Sequence, residues 1–416
     1  MKYEVKSILF LGVGGISMHQ LAIAIKKMGV KVFGYDLSES RYTHLCEENG
    51  IKVVHKFEKE ICNVDLCVKT GAIKNGKFLN YIKSKQIPVL DRSDILAWLC
   101  GKFKNVIAVA GTHGKSTTAS LIFEILRLSG KSVSCHIGAD VKNARFNLKD
   151  EILVVEACEF NKSFLKLKPH IAVVTNVEKE HMDCYGSFFN LKTAFLSFLK
   201  KAEKRFVYDE KSTRFFKKYS NVEFVEKTIL EIAPQIKGEH NLKNISLAVA
   251  VCERLGVDEK TIIEAINNFV GVPRRYEYIG KFENNKIYID YAHHPTEIKA
   301  FVETFKKENN NIQIIFQPHT FSRTKKFLKD FVSVLSKVEN LIIYKEYSAR
   351  ESKKDGMNAK ELFLEIKKYN SNVKYCANKN SLLKILNKNT SIAFVGAGNI
   401  NIIASEIVNK NKSYSH

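Results

Sequence analysis

Short runs of aliphatic and β-branched residues alternate with amphipathic stretches along the whole chain, the pattern of parallel strands covered by helices. The fold class this predicts is α/β. In the first hundred residues the strand pattern covers 8–11, 30–33, 51–54, 64–68 and 87–90, a Rossmann-like series. Pro88 weakens the last strand, because proline cannot donate to a sheet ladder. A second series predicts strands at 106–110, 152–155 and 171–175, with helices over 115–128 and 191–200. Helical periodicity over 241–255 and 259–269 closes that series, and Gly271-Val272-Pro273-Arg274-Arg275 breaks it. A third α/β series predicts strands at 286–289, 312–316, 341–343 and 392–395. Three domains are therefore expected, at 1–99, 100–270 and 271–416.

A length of 416 residues is more than one core organises, which agrees with several domains. With 45% hydrophobic and 26% charged residues the composition is that of a globular chain. The formal charge of +22 raises the question of nucleic acid. Its lysines, however, are dispersed in pairs such as Lys26-Lys27, Lys217-Lys218 and Lys306-Lys307, and no basic block interleaves with aromatics. A solvated surface that favours anionic small substrates is the better reading, with no nucleic-acid partner. Nine cysteines, an odd count without a Cys-x-x-Cys pair, suit a reducing compartment. The start of the chain lacks the apolar core of a secretory signal, and no apolar run approaches the ~20 residues of a membrane helix. A soluble, cytoplasmic protein without membrane insertion is expected, as a monomer or homodimer.

Two glycine loops carry the chemistry. Gly12-Val13-Gly14-Gly15-Ile16-Ser17 follows a predicted strand and opens a helix, where free N–H groups attract a diphosphate. Ser17 stands where a dinucleotide fingerprint has its third glycine, and Asp36 ends the next strand, in reach of a ribose hydroxyl. By itself the loop also fits a ligand-free turn or an NAD-dependent oxidoreductase. The second loop, Gly111-Thr112-His113-Gly114-Lys115-Ser116-Thr117, lies between an apolar strand and a clear helix. Its backbone can cradle nucleotide phosphates, Lys115 can neutralise the β and γ oxygens, and the Ser116 hydroxyl can ligate Mg²⁺. Val109 occupies the position of the first glycine in the common P-loop pattern. An oxidoreductase built on the first loop leaves this one unexplained. Glu156 and His181 each follow a strand of the same series, so both can reach a metal beside the phosphates.

In this order the motifs resemble the Mur ligase family of peptidoglycan synthesis, over nearly the whole chain. The resemblance rests on the two loops, on Glu156-Ala157-Cys158-Glu159, on Thr175-Asn176-Val177-Glu178-Lys179-Glu180-His181-Met182-Asp183 and on Gly238-Glu239-His240-Asn241-Leu242-Lys243-Asn244. It continues through Arg274-Arg275, through Asp290-Tyr291-Ala292-His293-His294-Pro295-Thr296-Glu297 and through Gln317-Pro318-His319-Thr320-Phe321-Ser322-Arg323-Thr324. It implies a UDP-sugar domain, a central ATPase domain, and a C-terminal domain that brings in an amino acid and closes over ATP. The implied reaction joins L-alanine to the lactyl carboxylate of UDP-N-acetylmuramate through an acyl phosphate. The implied alternative is a recycling ligase that adds a tripeptide to the same sugar. Gly12, Gly14, Gly15, Ser17 and Asp36 then face the UDP-sugar, and Arg323 the substrate. ATP is held by 111–117, with His240 and Asn244 at adenine, Asp290 at the ribose and Arg275 at the phosphates. Two Mg²⁺ sites, open also to Mn²⁺, fall to Ser116, Glu156 and His181. Lys115, His181, Arg275 and His294 are the implied catalytic residues, with His293 and His294 near the amino acid. Phe195 is aligned with the metal-bridging carbamylated lysine of several relatives, and the acidic residue of many members is Cys158 here.

Overall fold

The computed structural model describes residues 5–219, 221–349 and 351–412. Among the described residues three sheets form, one from each series of strands. The first is wholly parallel, in the order β3 (Lys52–Val54), β2 (Lys31–Tyr35), β1 (Ser7–Leu11), β4 (Leu66–Lys69) and β5 (Val89–Asp91). The strand order reverses between β1 and β4, and ligands of open α/β sheets bind at such a switch point. The Gly12–Ser17 turn leaves the C-terminal end of β1 there. Pro88 falls just outside the edge strand β5, so the ladder loses no donor.

The second sheet is also parallel: β11 (Glu223–Val225), β10 (Lys204–Tyr208), β9 (Ile171–Val174), β6 (Asn105–Ala110), β8 (Ile152–Glu156) and β7 (Val133–His136). Residues 106–110 of β6 are apolar without alternation because both faces of the strand are covered. β6 lies between β8 and β9, so the loop after it has Glu156 on one side and Thr175 on the other. β7, β10 and β11 escape the hydrophobic pattern, β7 because it is polar (Val-Ser-Cys-His) yet completely buried.

The third sheet runs β12 (Glu277–Phe282), β13 (Asn285–Asp290), β17 (Ser391–Val395), β14 (Ile312–Phe316), β15 (Leu341–Tyr344) and β16 (Lys374–Cys376). Only the edge pair β12 and β13 is antiparallel, with a register shift between Tyr278 and Gly280. The ends of β13, β17 and β14 lie side by side, which groups Asp290, Gly396 and Gln317.

The chain separates into two compact units: Met1–Pro234 with Leu242–Phe269, and Gln235–Asn241 with Val270–His416. The first unit contains two sheets because one apolar cluster serves both. It runs from Phe10 and Ile25 through Leu99 and Phe103 to Val155, Phe195 and Phe198. Phe195 is buried against Phe164, with ring centroids 5.1 Å apart, so its ring belongs to that core. All nine cysteines are free thiols, and among the described residues no helix is long and apolar enough to cross a membrane.

Candidate active site

Gly111 and Gly114 adopt φ of +142° and +83°, values an L side chain resists. A Cβ at Gly111 would collide with Thr175 Oγ1, and one at Gly114 with Asn244 Oδ1. The loop is therefore clamped from two directions. Thr175 Oγ donates to His113 O at 2.5 Å, and Asn176 both donates to His113 O at 3.1 Å and accepts from His113 N at 2.8 Å. Thr112 Oγ accepts from Glu178 N at 2.8 Å. Behind the loop, the buried Asn244 accepts from Thr118 Oγ at 3.2 Å. The Thr175–Glu178 segment and Asn244 thus rigidify the Gly111–Thr117 loop, and Thr117 is buried at the start of helix Lys115–Leu128.

Lys115 Nζ arches over the loop, donating to Gly111 O at 2.6 Å and Thr112 O at 3.0 Å, and pairs with Glu159 Oε2 at 3.0 Å. Burial pulls the ammonium's pKa down, but the carboxylates of Glu159 and Glu156 outweigh it and hold the group above the ordinary lysine range, so it stays charged. Ser116 Oγ donates to Glu156 Oε2 at 2.8 Å, and Gly138 N donates to the same oxygen at 2.9 Å. Across the loop His181 Nε2 lies 3.6 Å from Glu159 Oε1 and 4.0 Å from Glu180 Oε2. One ligand atom from each of Glu159, Glu180 and His181 lies within 4.8 Å of the others. His181 holds φ of +53° and stacks edge-on against Phe160 at 5.0 Å, and strain of this kind gathers at functional sites.

Lys115, Ser116, Glu156 and His181 are thus brought together as expected. Glu159, only 3% exposed, joins them at the centre, and the sequence reading passed over it because Cys158 beside it departs from the family pattern. Its signal was present in the second carboxylate of Glu156-Ala157-Cys158-Glu159.

At the first loop, Gly12 has φ of +84° and leaves no room for a Cβ beside Thr70 Cγ2. Asp36 Oδ2 accepts from Gly14 N at 2.9 Å, so the carboxylate braces the loop from within. Gly15 caps helix Ile16–Lys27 without a side-chain hydrogen bond. Ser17 Oγ meets Arg92 and His136, neither of which the sequence reading singled out.

In the second unit, Asp290 ends β13 and accepts from Tyr276 N at 2.8 Å and Ala292 N at 2.7 Å. Burial raises its pKa to about 6, against the opposing pull of Arg275 and those two N–H groups. Arg274 donates to Gly396 O at 3.0 Å and Gly398 O at 2.9 Å and lies over the Tyr291 ring. Arg275 also faces Tyr291 and lies 3.6 Å from Glu297 Oε1. The two histidines of 293–294 divide their tasks. His294 is the N-cap of helix Pro295–Glu308, accepting from Thr296 N, with its ring against Phe327 at 4.6 Å. His293 turns the other way, its Nδ1 donating to Tyr291 O at 3.0 Å and its ring 5.9 Å from that of His319. Arg323 donates to His319 Nδ1 at 3.1 Å. Burial lowers the pKa of both imidazoles to about 4, against Glu297 at His293 and reinforced by Arg323 at each. His240 lies in this unit, its ring against Gly238, whereas Asn244 lies in the first.

Three family models match the chain: "Mur ligase family, catalytic domain" at residues 7–104, "Mur ligase middle domain" at 109–229 and "Mur ligase, glutamate ligase domain" at 274–398. The UDP-N-acetylmuramate–L-alanine ligase of Caldicellulosiruptor bescii is 35% identical, over 96% of this chain and 98% of that protein. Its Aquifex aeolicus namesake is 34% identical, over 96% of each. Among solved structures, the UDP-N-acetylmuramate-alanine ligase of Thermotoga maritima superposes with a TM-score of 0.83 at 24% identity, over 99% of this chain and 100% of that one. A murein peptide ligase of Psychrobacter arcticus follows with a TM-score of 0.71 at 19% identity, over 97% and 98%. Those two structures share the fold, and the family models and the sequence relatives cover the chain from its first glycine loop to the end of its third sheet: the chain belongs to the Mur ligase family.

Proposed function

We propose that this protein uses ATP to join L-alanine to the lactyl carboxylate of UDP-N-acetylmuramate, in the cytoplasm and for peptidoglycan synthesis. The observation that carries the reading is the convergence of Lys115, Ser116, Glu156, Glu159 and His181 at one sheet edge, in a chain 35% identical to ligases of that name. Domains at 1–99, 100–270 and 271–416 would take the UDP-sugar, ATP and the amino acid in turn.

A carboxylate resists an amine because oxide is a poor leaving group. Phosphorylation by ATP replaces oxide with phosphate, which the amine then expels. In this reading the 111–117 backbone cradles the β- and γ-phosphates and the charged Lys115 ammonium draws the γ-phosphoryl group toward the substrate carboxylate. The donor set fits a hard divalent cation: Ser116 with Glu156 for one site, Glu159, Glu180 and His181 for a second, mostly oxygen with one imidazole. Mg²⁺ or Mn²⁺ bound there supplies neutralising charge for two anions brought together. Asp290 is assigned to the ATP ribose, Arg275 to the phosphates, and His240 and Asn244 to the adenine side. Arg323 and His293 face the amino acid, where a guanidinium suits its carboxylate. Proton removal from the ammonium calls for a base with a pKa near the working pH. His181 and His294 are the candidates; His293, which burial lowers to about 4, is too weak a base for it.

Phosphate release with UDP-N-acetylmuramate and, in turn, L-alanine, glycine, L-serine and the tripeptide tests the reading. L-Alanine is expected to give the highest kcat/KM, and Lys115→Ala to abolish release while UDP-sugar binding survives. Preference for the tripeptide would make the protein a recycling ligase, and normal turnover by Lys115→Ala would remove the loop from the mechanism.

A further inference from the structure

At the N-terminus of helix Ile16–Lys27, Ser17 Oγ lies 2.9 Å from Arg92 NH1 and 2.8 Å from His136 Nε2. Arg92 belongs to the first sheet's helix Arg92–Cys100, but His136 is the last residue of β7 in the second sheet. A strand of one sheet therefore reaches the glycine loop of the other. His136 is 2% exposed, and its Nδ1 is buried without a hydrogen-bond partner.

These facts decide which way the hydrogen bonds run. A neutral imidazole carries one N–H. Placing that proton on Nδ1 strands a buried donor, whereas placing it on Nε2 strands only a bare lone pair, the cheaper arrangement. Burial, Arg92 and His19 push the ring's pKa down to about 3, which keeps it neutral near pH 7. Nε2–H then donates to Ser17 Oγ, and the Arg92 guanidinium, which can only donate, uses the second lone pair of the same oxygen. Ser17 has only its own proton left to offer. That proton belongs to a hydroxyl on the first turn of a helix, where backbone N–H groups and the helix dipole favour an anion.

We propose that Ser17 is a dedicated donor to the diphosphate of the nucleotide sugar, and that His136 and Arg92 are positioning residues which saturate its lone pairs and turn its proton toward the ligand. The inference rests on reading 12–17 as the diphosphate site. It gives the serine at the third-glycine position a task that glycine could not perform, and it makes the second sheet a determinant of UDP-sugar affinity.

Calorimetric titration of the full chain with UDP, and with a non-hydrolysable ATP analogue as a control on the other loop, tests this. Ser17→Ala and His136→Phe should each weaken UDP about tenfold, the scale of one hydrogen bond to a charged group, with the ATP analogue unaffected. The double variant should be no weaker than Ser17→Ala, because His136 acts only through Ser17. His136→Gln, whose amide can donate from the Nε2 position, should recover most of the UDP affinity. The proposal is overturned by UDP affinity within about twofold of the parent in Ser17→Ala, by losses that multiply in the double variant, or by His136→Gln binding as poorly as His136→Phe. Failure of the parent itself to bind UDP would instead overturn the reading of the loop on which the proposal stands.

Discussion

Charge at the level of single residues is set here by burial first and by neighbours second, and the winner differs from site to site. At Lys115 the carboxylates of Glu159 and Glu156 outweigh burial and the ammonium survives. At His319 burial and Arg323 act in the same direction and its pKa falls to about 4. The second case has a testable sign. A histidine whose folded pKa lies below its ordinary 6.5 contributes stability above that value, which is lost as pH falls toward about 4. His319→Phe keeps a ring against Tyr347 and removes the titration. Urea unfolding at pH 7 and pH 4.5 should show the parent losing about 2 kcal/mol relative to the variant on acidification. An unchanged difference between the two proteins would mean that the imidazole is not buried neutral. Asp290, raised to about 6, works in the opposite direction, which is why the comparison is with a variant and not across pH alone.

Strand-to-loop-to-helix elements recur at both glycine loops, and in each the loop is held by side chains from the neighbouring element. Asp36, just past β2, grips Gly14, and the segment after β9 grips 111–114. Gly111→Ala should therefore cost more than its strained φ of +142°, because the new Cβ meets Thr175 Oγ1 and breaks the clamp on His113. A loss of ~2 kcal/mol or more in stability and of measurable ATP binding is expected. Gly130→Ala is the control, since Gly130 has φ of +76° but a Cβ there would meet nothing within 4 Å, so only the ~1 kcal/mol of left-handed strain applies. Thermal unfolding and nucleotide titration separate the two, and equal effects would show that the clamp contributes nothing.

For the whole molecule the decisive fact is that three sheets make two compact units. Scanning calorimetry should resolve two transitions. UDP at a hundred times its Kd should raise the one that includes the first two sheets, by about 2.7 kcal/mol, and leave the other in place. A single transition moving as one would show that the chain unfolds cooperatively throughout.

The alternation of apolar and amphipathic segments determined the α/β class and most central strands, because buried parallel strands are continuously apolar and therefore visible. Local sequence also determined both glycine loops, since a glycine with positive φ before a helix is a short-range requirement met within six residues. The edge strands β11 and β16 were not legible because three residues each, only partly buried, are too short to show a period, and the polar β7 was not because its burial comes from neighbours distant in sequence. Only the tertiary structure decided that the first two sheets share one core and that Glu159 lies between Lys115 and His181. It also decided that His136 reaches Ser17 across 119 positions. Each of these depends on a non-local approach of side chains, and periodicity along a chain has no information about which distant residue fills the space opposite.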